Sequence, residues 1–500
     1  MLLLPRQVYL LITKLRVNEA IERLRRSHPV QLVHLRRVDV VGLRAVITNG
    51  VTDQQAATNA KKCGVANAHR HMVFLGYTHG VQSERFELAR YHRSELGDVI
   101  FVAITGSCGK TTTKDLATGL LAHKLQGSSN PGSGNCGVDL IEHIIRVQPD
   151  ADYCIQELGA WGPGTLDAGL ELVKPDVGVV LNVRRDHYSA FHGLGYTQIE
   201  KAKVIQSLPS TGTAILNFDD PYVRRIRYLT RGSVLGFGFH AKADYRMENV
   251  SGIWPEPLSF DLTFRGKQYR VQTQLIGEHL AGSAVAAMAI AHTLGVPLEE
   301  ATARIAQLPP TPRRMSAVVT RGGVCVIRDD FKAASDSLEE FLHFMQQARA
   351  PRKIAVVGRI SDCPGRSRPV YAGFAKSAAK IADLLIFVGE RAQSLWGGSQ
   401  HKSAKLPDGL NWASGTVRVF ETVREASTFL RGELRPGDLL MLKGSGASDH
   451  LERILLEHET TVRCWRAHCG LVIACDGCEL LGCAAEPGDV LPAKCGEARQ

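Results

Sequence analysis

The chain has 500 residues, 44% hydrophobic and 22% charged, which is typical of a globular protein with about three domains. These values exclude disordered, collagen-like and coiled-coil classes. Its apolar runs are far shorter than the ~20 residues of a membrane helix, and no small-residue cleavage site follows the apolar start. We therefore predict a cytoplasmic protein without a signal peptide or transmembrane segment.

Charge and cysteine are unevenly distributed. The net charge is +10, and residues 1–50 contain nine Lys or Arg against three Asp or Glu. Of the twelve cysteines, six lie within residues 464–500. The excess of basic residues is therefore a feature of the N-terminal end, and the excess of cysteine is a feature of the C-terminal end.

Residues 1–98 are predicted to form a small, atypical α/β domain for substrate recognition. Val8, Leu11, Ile12 and Leu15 have helical spacing and lie among basic residues. This pattern favours a solvated cationic helix with one packed face, and a membrane-surface or nucleic-acid role is the alternative. Aromatic and basic residues do not alternate as they do in single-strand binders, so no nucleic acid is expected as a partner.

Residues 99–310 are predicted to form a central parallel-sheet domain, because apolar strands alternate with helical patterns. The predicted strands are Val99–Ile104, Tyr153–Gln156, Val177–Asn182 and Thr213–Asn217. Helices are predicted over 281–294 and 298–308, and the proline-rich segment 309–312 is the predicted linker.

Residues 311–460 show the same alternation of strands and helices, with predicted strands at Val324–Ile327, Ile354–Val357, Leu384–Val388 and Leu439–Leu442. They form a second, Rossmann-like α/β domain.

The turn after the first central strand has the composition of a phosphate-binding loop. Gly106 and Gly109 let backbone N–H groups approach phosphate oxygens, and the following helix adds its N-terminal dipole. Lys110 is predicted to reach the β- and γ-phosphates, and the Thr111 hydroxyl to bind Mg²⁺, with Thr112 beside it. The pattern is the short form G-x-x-G-K-T-T, which predicts ATP binding.

The T-G-x-x-G-K-T-T motif and the motifs downstream of it resemble those of the Mur ligases. These are ATP-dependent, amide-forming enzymes of peptidoglycan synthesis, and the resemblance covers about residues 99–460. The local similarity is greatest to the subfamily that adds D-alanyl-D-alanine to a UDP-muramoyl-tripeptide. The resemblance implies a three-domain α/β architecture with a central P-loop ATPase domain and a C-terminal ligase domain.

The resemblance also implies roles for residues outside the loop. Glu157, after a strand, and His187, in an N-V-x-x-D-H-like segment, would bind Mg²⁺. Lys203, in the E-K-A-K segment, would be the carbamylated lysine that also binds Mg²⁺; two surface lysines on a helix are the alternative. Arg314 would contact ATP phosphate, Asp330 the ribose, and Lys443 the reacting centre. Lys110, His187, Lys203 and Lys443 are thus the predicted catalytic residues.

The implied reaction joins a small-molecule carboxylate to an amino acid or peptide amine through an acyl phosphate. Leu280, Ser283, Arg313 and Ser335 depart from the family pattern. The alternative is therefore a catalytically weakened protein that binds nucleotide or a partner. A third possibility, a nucleic-acid-binding P-loop NTPase, is suggested by charge alone, and the sequence contains no nucleic-acid-binding motif. A monomer is favoured.

The tail, residues 461–500, is predicted to bind a metal. Cys464, Cys469, Cys475 and Cys478 include one C-x-x-C pair, and clustered cysteines in a cytosolic chain favour metal binding over disulfides. Four thiolates suit structural Zn²⁺. Reduced free thiols, a disulfide or an iron–sulfur role are the alternatives.

Overall fold

A computed structural model describes residues 81–489, except 364–365, 397–415, 447, 468, 470 and 472. The predicted basic helix near residues 8–15 and most of the predicted N-terminal domain lie outside the described residues. Within the described part, none of the helices is long and apolar enough to cross a membrane.

The strands of the described residues form two sheets. The central sheet contains β1 Ile100–Thr105, β2 Gly127–Ser129, β3 Tyr153–Glu157, β4 Val177–Val180, β5 Thr213–Asn217, β6 Ser233–Gly238, β7 Tyr245–Ser251, β8 Ser259–Phe264 and β9 Lys267–Gln272. The C-terminal sheet contains β10 Ser316–Val319, β11 Cys325–Asp329, β12 Arg352–Val357, β13 Leu384–Val388, β14 Val417–Phe420 and β15 Asp438–Lys443.

Helices alternate with these strands. In the central part they are α1 Val81–Glu95, α2 Lys110–Leu121, α3 Gly137–Ile145, α4 Asp167–Val173, α5 Tyr188–Phe191, α6 Leu194–Gln206, α7 Pro221–Ile226, α8 Ala281–Thr293 and α9 Leu298–Ile305. In the C-terminal part they are α10 Leu338–Gln347, α11 Ser367–Ala378, α12 Glu390–Trp396, α13 Val423–Glu433 and α14 Glu452–Glu459.

The central sheet has the strand order β2-β3-β1-β4-β5-β6-β7-β8-β9. The pairs from β2 to β7 are parallel, and β7–β8 and β8–β9 are antiparallel. Strand β1 is the third strand in this order, and all of its residues from Phe101 onward are buried. This burial explains why β1 appears in the sequence as an unbroken apolar run.

The C-terminal sheet has the order β10-β11-β15-β12-β13-β14, and only the β10–β11 pair is antiparallel. The predicted alternation of strands and helices is therefore confirmed in both parts.

One predicted strand is shorter in the structure. The strand predicted at Val177–Asn182 corresponds to β4, which ends at Val180, so Asn182 lies in the loop that follows it.

Helix α8 fixes the packing behind the phosphate loop. It is alanine-rich, nearly all of it is buried, and it packs on α2. Small side chains allow two helices to approach closely, which brings Ser283 next to the loop. Ala89 of helix α1 and Leu96, just after the helix, pack into the core under β1. The residues just before 98 thus belong structurally with the central sheet.

Candidate active site

The phosphate loop, residues 106–110, connects the buried end of β1 to the start of α2. Gly109 has φ +82°, a left-handed conformation that favours glycine. A Cβ at this position would also lie only 2.7 Å from Ser283 Oγ, so there is no room for a side chain. Lys110 Nζ donates to the Gly106 carbonyl at 2.9 Å. Thr112 is buried in the first turn of α2. The loop is thus held in a tight turn at a helix N-terminus, the arrangement that binds phosphate.

Asn182, in the loop that follows β4, holds the phosphate loop by side-chain hydrogen bonds. Its Oδ1 accepts hydrogen bonds from the backbone N–H groups of Ser107 and Cys108, both at 2.9 Å. Its Nδ2 donates to the Cys108 carbonyl at 3.1 Å. These three bonds hold the loop in its turn, and no role was predicted for Asn182 from the sequence.

Thr111 and Glu157 meet at the carboxyl ends of adjacent parallel strands. The Thr111 hydroxyl donates to Glu157 Oε2 at 2.7 Å, and Asn135 Nδ2 donates to Glu157 Oε1 at 2.8 Å. Glu157 is only 2% exposed. A hydroxyl and a buried carboxylate are oxygen ligands of the kind that Mg²⁺ prefers. The structure therefore brings together the two residues predicted to bind Mg²⁺ beside the loop.

His187 lies in a charged cluster that joins the central and C-terminal parts. Its Nε2 is 3.5 Å from Asp186 Oδ1, and its Nδ1 is 3.8 Å from Asp362 Oδ1. These three side chains could hold a metal ion. Lys332 Nζ, however, lies 2.7 Å from Asp186 Oδ1 and 3.1 Å from Asp362 Oδ2. A protein cation thus already bridges the two carboxylates.

Lys201, and not Lys203, points into this cluster. Lys201 is fully buried, and its Nζ has no hydrogen-bond partner among the described residues. Burial, with the nearby ammonium groups of Lys110 and Lys332, lowers the pKa of Lys201 to about 7. Lys203 instead pairs with Asp167 at 2.6 Å and Glu200 at 3.0 Å on the outer side of α6. Helical spacing in the sequence could have predicted that Lys201 faces inward, because Thr197, Lys201 and Val204 lie on the buried face of α6.

The C-terminal part brings Arg314 to the phosphate loop. Burial lowers the pKa of the Arg314 guanidinium, while the carboxylates of Glu157 and Asp329 oppose that shift. The guanidinium lies 4.1 Å from the centre of the Phe331 ring. Arg314 therefore supplies positive charge next to the predicted Mg²⁺ site, as expected for a phosphate contact.

Asp329 and Asp330 point in different directions from the end of β11. Asp330 is 1% exposed and lies near Arg313 at 3.5 Å and Arg328 at 3.4 Å. Asp329 receives a 2.5 Å hydrogen bond from Lys443, its register partner on β15. The predicted ribose contact, Asp330, thus belongs to a buried ion network, and Asp329 lies with Lys443 on the side of Arg314.

The loop after β4 joins the two sheets. The Arg184 guanidinium forms an ion pair with Glu340, and the backbone N–H of Arg185 donates to Asp336 Oδ2 at 2.6 Å. Together with the bridge from Lys332 to Asp186, these contacts connect the phosphate-loop side to α10 and its preceding turn. The residues predicted to bind ATP and Mg²⁺ therefore come from both parts of the chain.

The predicted zinc ligands share one small cavity. Cys464, Cys469, Cys475 and Cys478 all line it, together with Arg453, and all four are free of disulfides. Cys483, outside this group, is disulfide-bonded. A buried group of His450, Glu452 and Cys475 at its edge could hold a metal. The fold thus gathers cysteines that are up to fourteen positions apart.

The sequence matches known proteins over the same two parts. Residues 104–291 match the model for the Mur ligase middle domain, and residues 313–446 match the model for the Mur ligase, glutamate ligase domain. The UDP-N-acetylmuramoyl-tripeptide--D-alanyl-D-alanine ligase of Mycobacterium tuberculosis (strain CDC 1551 / Oshkosh) is 30% identical over 376 residues, 70% of this chain and 71% of the relative. The chain belongs to the Mur ligase family.

Another relative and two solved structures support the assignment of this chain to the Mur ligase family. The Escherichia coli (strain K12) enzyme of the same printed name is 25% identical over 327 residues, 62% of this chain and 68% of the relative. Two solved structures share the fold. MurF from Acinetobacter baumannii has TM-score 0.67, 23% identity and coverage of 76% of this chain and 81% of the other. The Thermotoga maritima MurF ligase with ADP has TM-score 0.63, 21% identity and coverage of 75% and 83%.

Membership confirms several of the expectations drawn from the sequence. The chain is an ATP-dependent, amide-bond-forming Mur ligase of peptidoglycan precursor synthesis, with the α/β architecture of the middle and C-terminal ligase domains. The family uses ATP and Mg²⁺ and acts on small molecules. The domain boundaries and the individual site residues remain predictions.

Proposed function

We propose that this Mur ligase joins the carboxylate of a peptide precursor to the amine of an amino acid or dipeptide. The observation that supports this most directly is the convergence of Lys110, Thr111 and Glu157 with Arg314 from the C-terminal part. The names of the relatives suggest a UDP-muramoyl-tripeptide and D-alanyl-D-alanine as the first pair to test. We propose that the protein is cytoplasmic and monomeric and that it has no nucleic-acid partner.

The reaction proceeds in two displacements. A carboxylate oxygen of the first substrate attacks the γ-phosphorus of ATP, and the bond to the β-bridging oxygen breaks, which gives an acyl phosphate and ADP. The amine nitrogen then attacks the acyl carbon, loses a proton and displaces inorganic phosphate. Lys110 and Arg314 stabilise the charge on the transferred phosphoryl group, since such transfers depend on positioning and positive charge.

One set of residues fits Mg²⁺, and the carboxylates of a second candidate set are bridged by a lysine. Thr111 and Glu157 fit one ion, because both present oxygen ligands beside the loop. A bound Mg²⁺ would neutralise charge on the β- and γ-phosphates. For a second ion, His187 has Asp186 and Asp362 as neighbours, and Lys332 already bridges these two carboxylates.

The lysine proposed for carbamylation is Lys201 in place of Lys203. Carbamylation needs a neutral amine, and Lys201 is buried with no hydrogen-bond partner in the described part of the chain. Lys203 is tied as an ammonium to Asp167 and Glu200. The carbamate would place an anion between Lys110 and Lys332, the ammonium groups that Lys201 now faces.

The test is phosphate release from ATP in the presence of paired carboxylate and amine substrates. Release should depend on one pair, and Lys110→Ala should abolish it. Lys124→Ala is the matched control, because Lys124 follows the same helix and pairs with Glu300 at the surface. Release that persists in Lys110→Ala would overturn the proposal. Nucleotide binding without release for any pair would favour the weakened, partner-binding alternative.

A further inference from the structure

A buried group of three metal-binding side chains lies where the tail meets the start of helix α14. His450 and Glu452 are fully buried, and Cys475 in the tail is 4% exposed. One ligand atom from each side chain lies within 4.8 Å of the other two. A thiolate, an imidazole nitrogen and a carboxylate oxygen are the ligand types that Zn²⁺ binds in proteins. The group lies outside the residues predicted to bind ATP and Mg²⁺.

This group differs from the set of four cysteines predicted from the sequence. Cys464, Cys469 and Cys478 line the same cavity as Cys475. Within the described part of the tail, however, Cys475 is the cysteine whose sulfur lies this close to two other metal-binding side chains. The thiol-lined cavity and the three-residue group are thus separate features, and they predict different results when a cysteine is replaced.

The spacing of His450 and Cys475 fits two ligands of one zinc ion. His450 Nδ1 lies 3.5 Å from Cys475 Sγ. A Zn–N bond of about 2.0 Å and a Zn–S bond of about 2.3 Å, at the tetrahedral angle, place nitrogen and sulfur about 3.5 Å apart. A hydrogen bond between a thiol and an imidazole has a similar length, so the surrounding contacts are needed to distinguish the two arrangements.

The other ring nitrogen of His450 has a partner of its own. Its Nε2 lies 3.5 Å from Cys469 Sγ, and this nitrogen points away from Nδ1. A histidine that binds a metal through one nitrogen almost always donates the N–H of the other to a fixed acceptor, which sets the tautomer and the ring orientation. Cys469 is placed to be that acceptor, and in this tautomer Nδ1 is unprotonated and faces Cys475.

The Glu452 carboxylate has one oxygen suited to bind a metal. Its Oε1 accepts a hydrogen bond from the Cys475 backbone N–H at 3.1 Å, which fixes the carboxylate beside the thiol. Its Oε2 is buried and accepts no hydrogen bond from the described residues. A terminal nitrogen of Arg313 is 3.7 Å away, too far for a hydrogen bond. A buried carboxylate oxygen without a donor is unfavourable, and a metal ion would satisfy it.

Two further features favour a preformed site. Arg453 is 1% exposed, and its Nε donates to Cys475 Sγ at 3.3 Å, a contact that stabilises a thiolate. His450 has φ +50°, a left-handed conformation that is unfavourable for a residue other than glycine. Such a conformation persists only where the surrounding structure enforces it, and residues of this kind are concentrated at functional sites.

We propose that His450, Glu452 and Cys475 bind one Zn²⁺ ion, which links the tail to the start of helix α14. The protein ligands are His450 Nδ1, a carboxylate oxygen of Glu452 and the Cys475 thiolate, and water takes the fourth tetrahedral position. Burial and the Glu452 carboxylate raise the pKa of Cys475 to about 12, so the thiol loses its proton to solvent when the ion binds. The site does not depend on the proposed ligase function.

The first experiment measures zinc by mass spectrometry of the metal in the full-length protein, purified without chelators. We expect about one zinc per chain, the content of a single site. Cys475→Ser and His450→Ala should lose the metal. Cys363→Ser, whose half-buried thiol lies outside the tail, is the control and should retain it. A parent protein that contains no zinc and takes up none from added Zn²⁺ overturns the site.

Two variants test the ligand set itself. Cys478→Ser replaces a half-buried thiol of the cavity that lies outside the three-residue group, so it should retain zinc as the parent does. Loss of zinc in this variant would favour a four-cysteine site and overturn the proposal. Glu452→Gln should weaken Zn²⁺ binding by about 100-fold or more, beyond the usual effect of a residue that only supports a ligand. Unchanged affinity would remove Glu452 from the site.

Cobalt provides a test that does not depend on a variant folding. Co²⁺ added to the parent protein, after a chelator has removed its zinc, should give the visible bands of a tetrahedral site. It should also give a near-ultraviolet charge-transfer band from the Cys475 thiolate, and added Zn²⁺ should abolish both. Visible bands without the charge-transfer band would overturn the role of Cys475, and the absence of both sets of bands would overturn the site.

Discussion

The Thr111 hydroxyl donates a 2.7 Å hydrogen bond to the Glu157 carboxylate, although the two residues are 46 positions apart. Strands β1 and β3 are adjacent and parallel, so their carboxyl ends lie side by side. The sheet topology thus brings together the two residues that the sequence motifs predict as Mg²⁺ ligands.

Thr111→Val should weaken Mg²⁺-dependent ATP binding by about 10- to 100-fold, because it removes one ligand and one partner of Glu157. Binding measured by calorimetry with and without Mg²⁺ separates this effect from a general loss of affinity. Thr118→Val is the matched control, since Thr118 lies on the same helix and its hydroxyl bonds only to the Lys114 carbonyl. Equal affinities for Thr111→Val and parent would contradict the assignment.

Lys201→Ala and Lys203→Ala should differ in amine-dependent phosphate release. Lys201 is buried beside Lys110 and Lys332, so its removal should lower the rate by roughly 100-fold, a typical loss for a positioned group at a phosphoryl-transfer site. Lys203 pairs with exposed Asp167 and buried Glu200, away from Lys110 and Lys332, so the rate of Lys203→Ala should stay within about threefold of the parent. The opposite order of effects would restore Lys203 as the carbamylated residue.

The bridge between Lys332 and Asp186 should couple the central and C-terminal parts. A double-mutant cycle with Lys332→Ala and Asp186→Ala, read by chemical unfolding, should give an interaction energy of about 1–2 kcal/mol, because Asp186 is buried and the pair is close. The exposed pair Lys124–Glu300 is the control and should give a clearly smaller coupling, because solvent screens exposed ion pairs. A coupling no larger than that of the control would mean that the bridge does not hold the two parts together.

His143 should make the protein less stable in acid. Burial lowers the pKa of His143 to about 4, whereas its ordinary value is 6.5. The unfolded chain therefore binds the proton first, and stability falls as the pH drops from 6.5 to 4. His143→Gln keeps a partner for Gln156 and should reduce this loss, by up to ~3 kcal/mol in the free energy of unfolding at pH 4.

The matched control for this prediction is His343→Gln, whose parent side chain is 62% exposed. Unfolding curves for both variants at pH 7 and pH 4 check the result. If His143→Gln and His343→Gln lose stability equally between these pH values, the burial of His143 is not the cause.

The sequence by itself determined the central chemistry of this protein. The strand, the short glycine loop and Lys110-Thr111 are contiguous, so local rules of strand, turn and helix place them without knowledge of the rest of the fold. The position of Glu157 at the sheet edge was predictable because it comes at the carboxyl end of a buried parallel strand, whereas its predicted Mg²⁺ role came from the family resemblance. The four tail cysteines line one cavity, but the tail group close enough to hold a metal is His450, Glu452 and Cys475, a combination that the cysteine spacing did not predict.

Only the tertiary structure decided which of several neighbouring residues faces the site. Lys201 and Lys203 are two positions apart on one helix and so point about 200° apart, and the packing of α6 decides which one is buried. Asp329 and Asp330 are consecutive at a strand end and diverge for the same kind of reason. The roles of Asn182 and Lys332 depend on contacts between distant segments. The direction of a side chain across such a contact is set by tertiary packing, which a local sequence pattern does not contain.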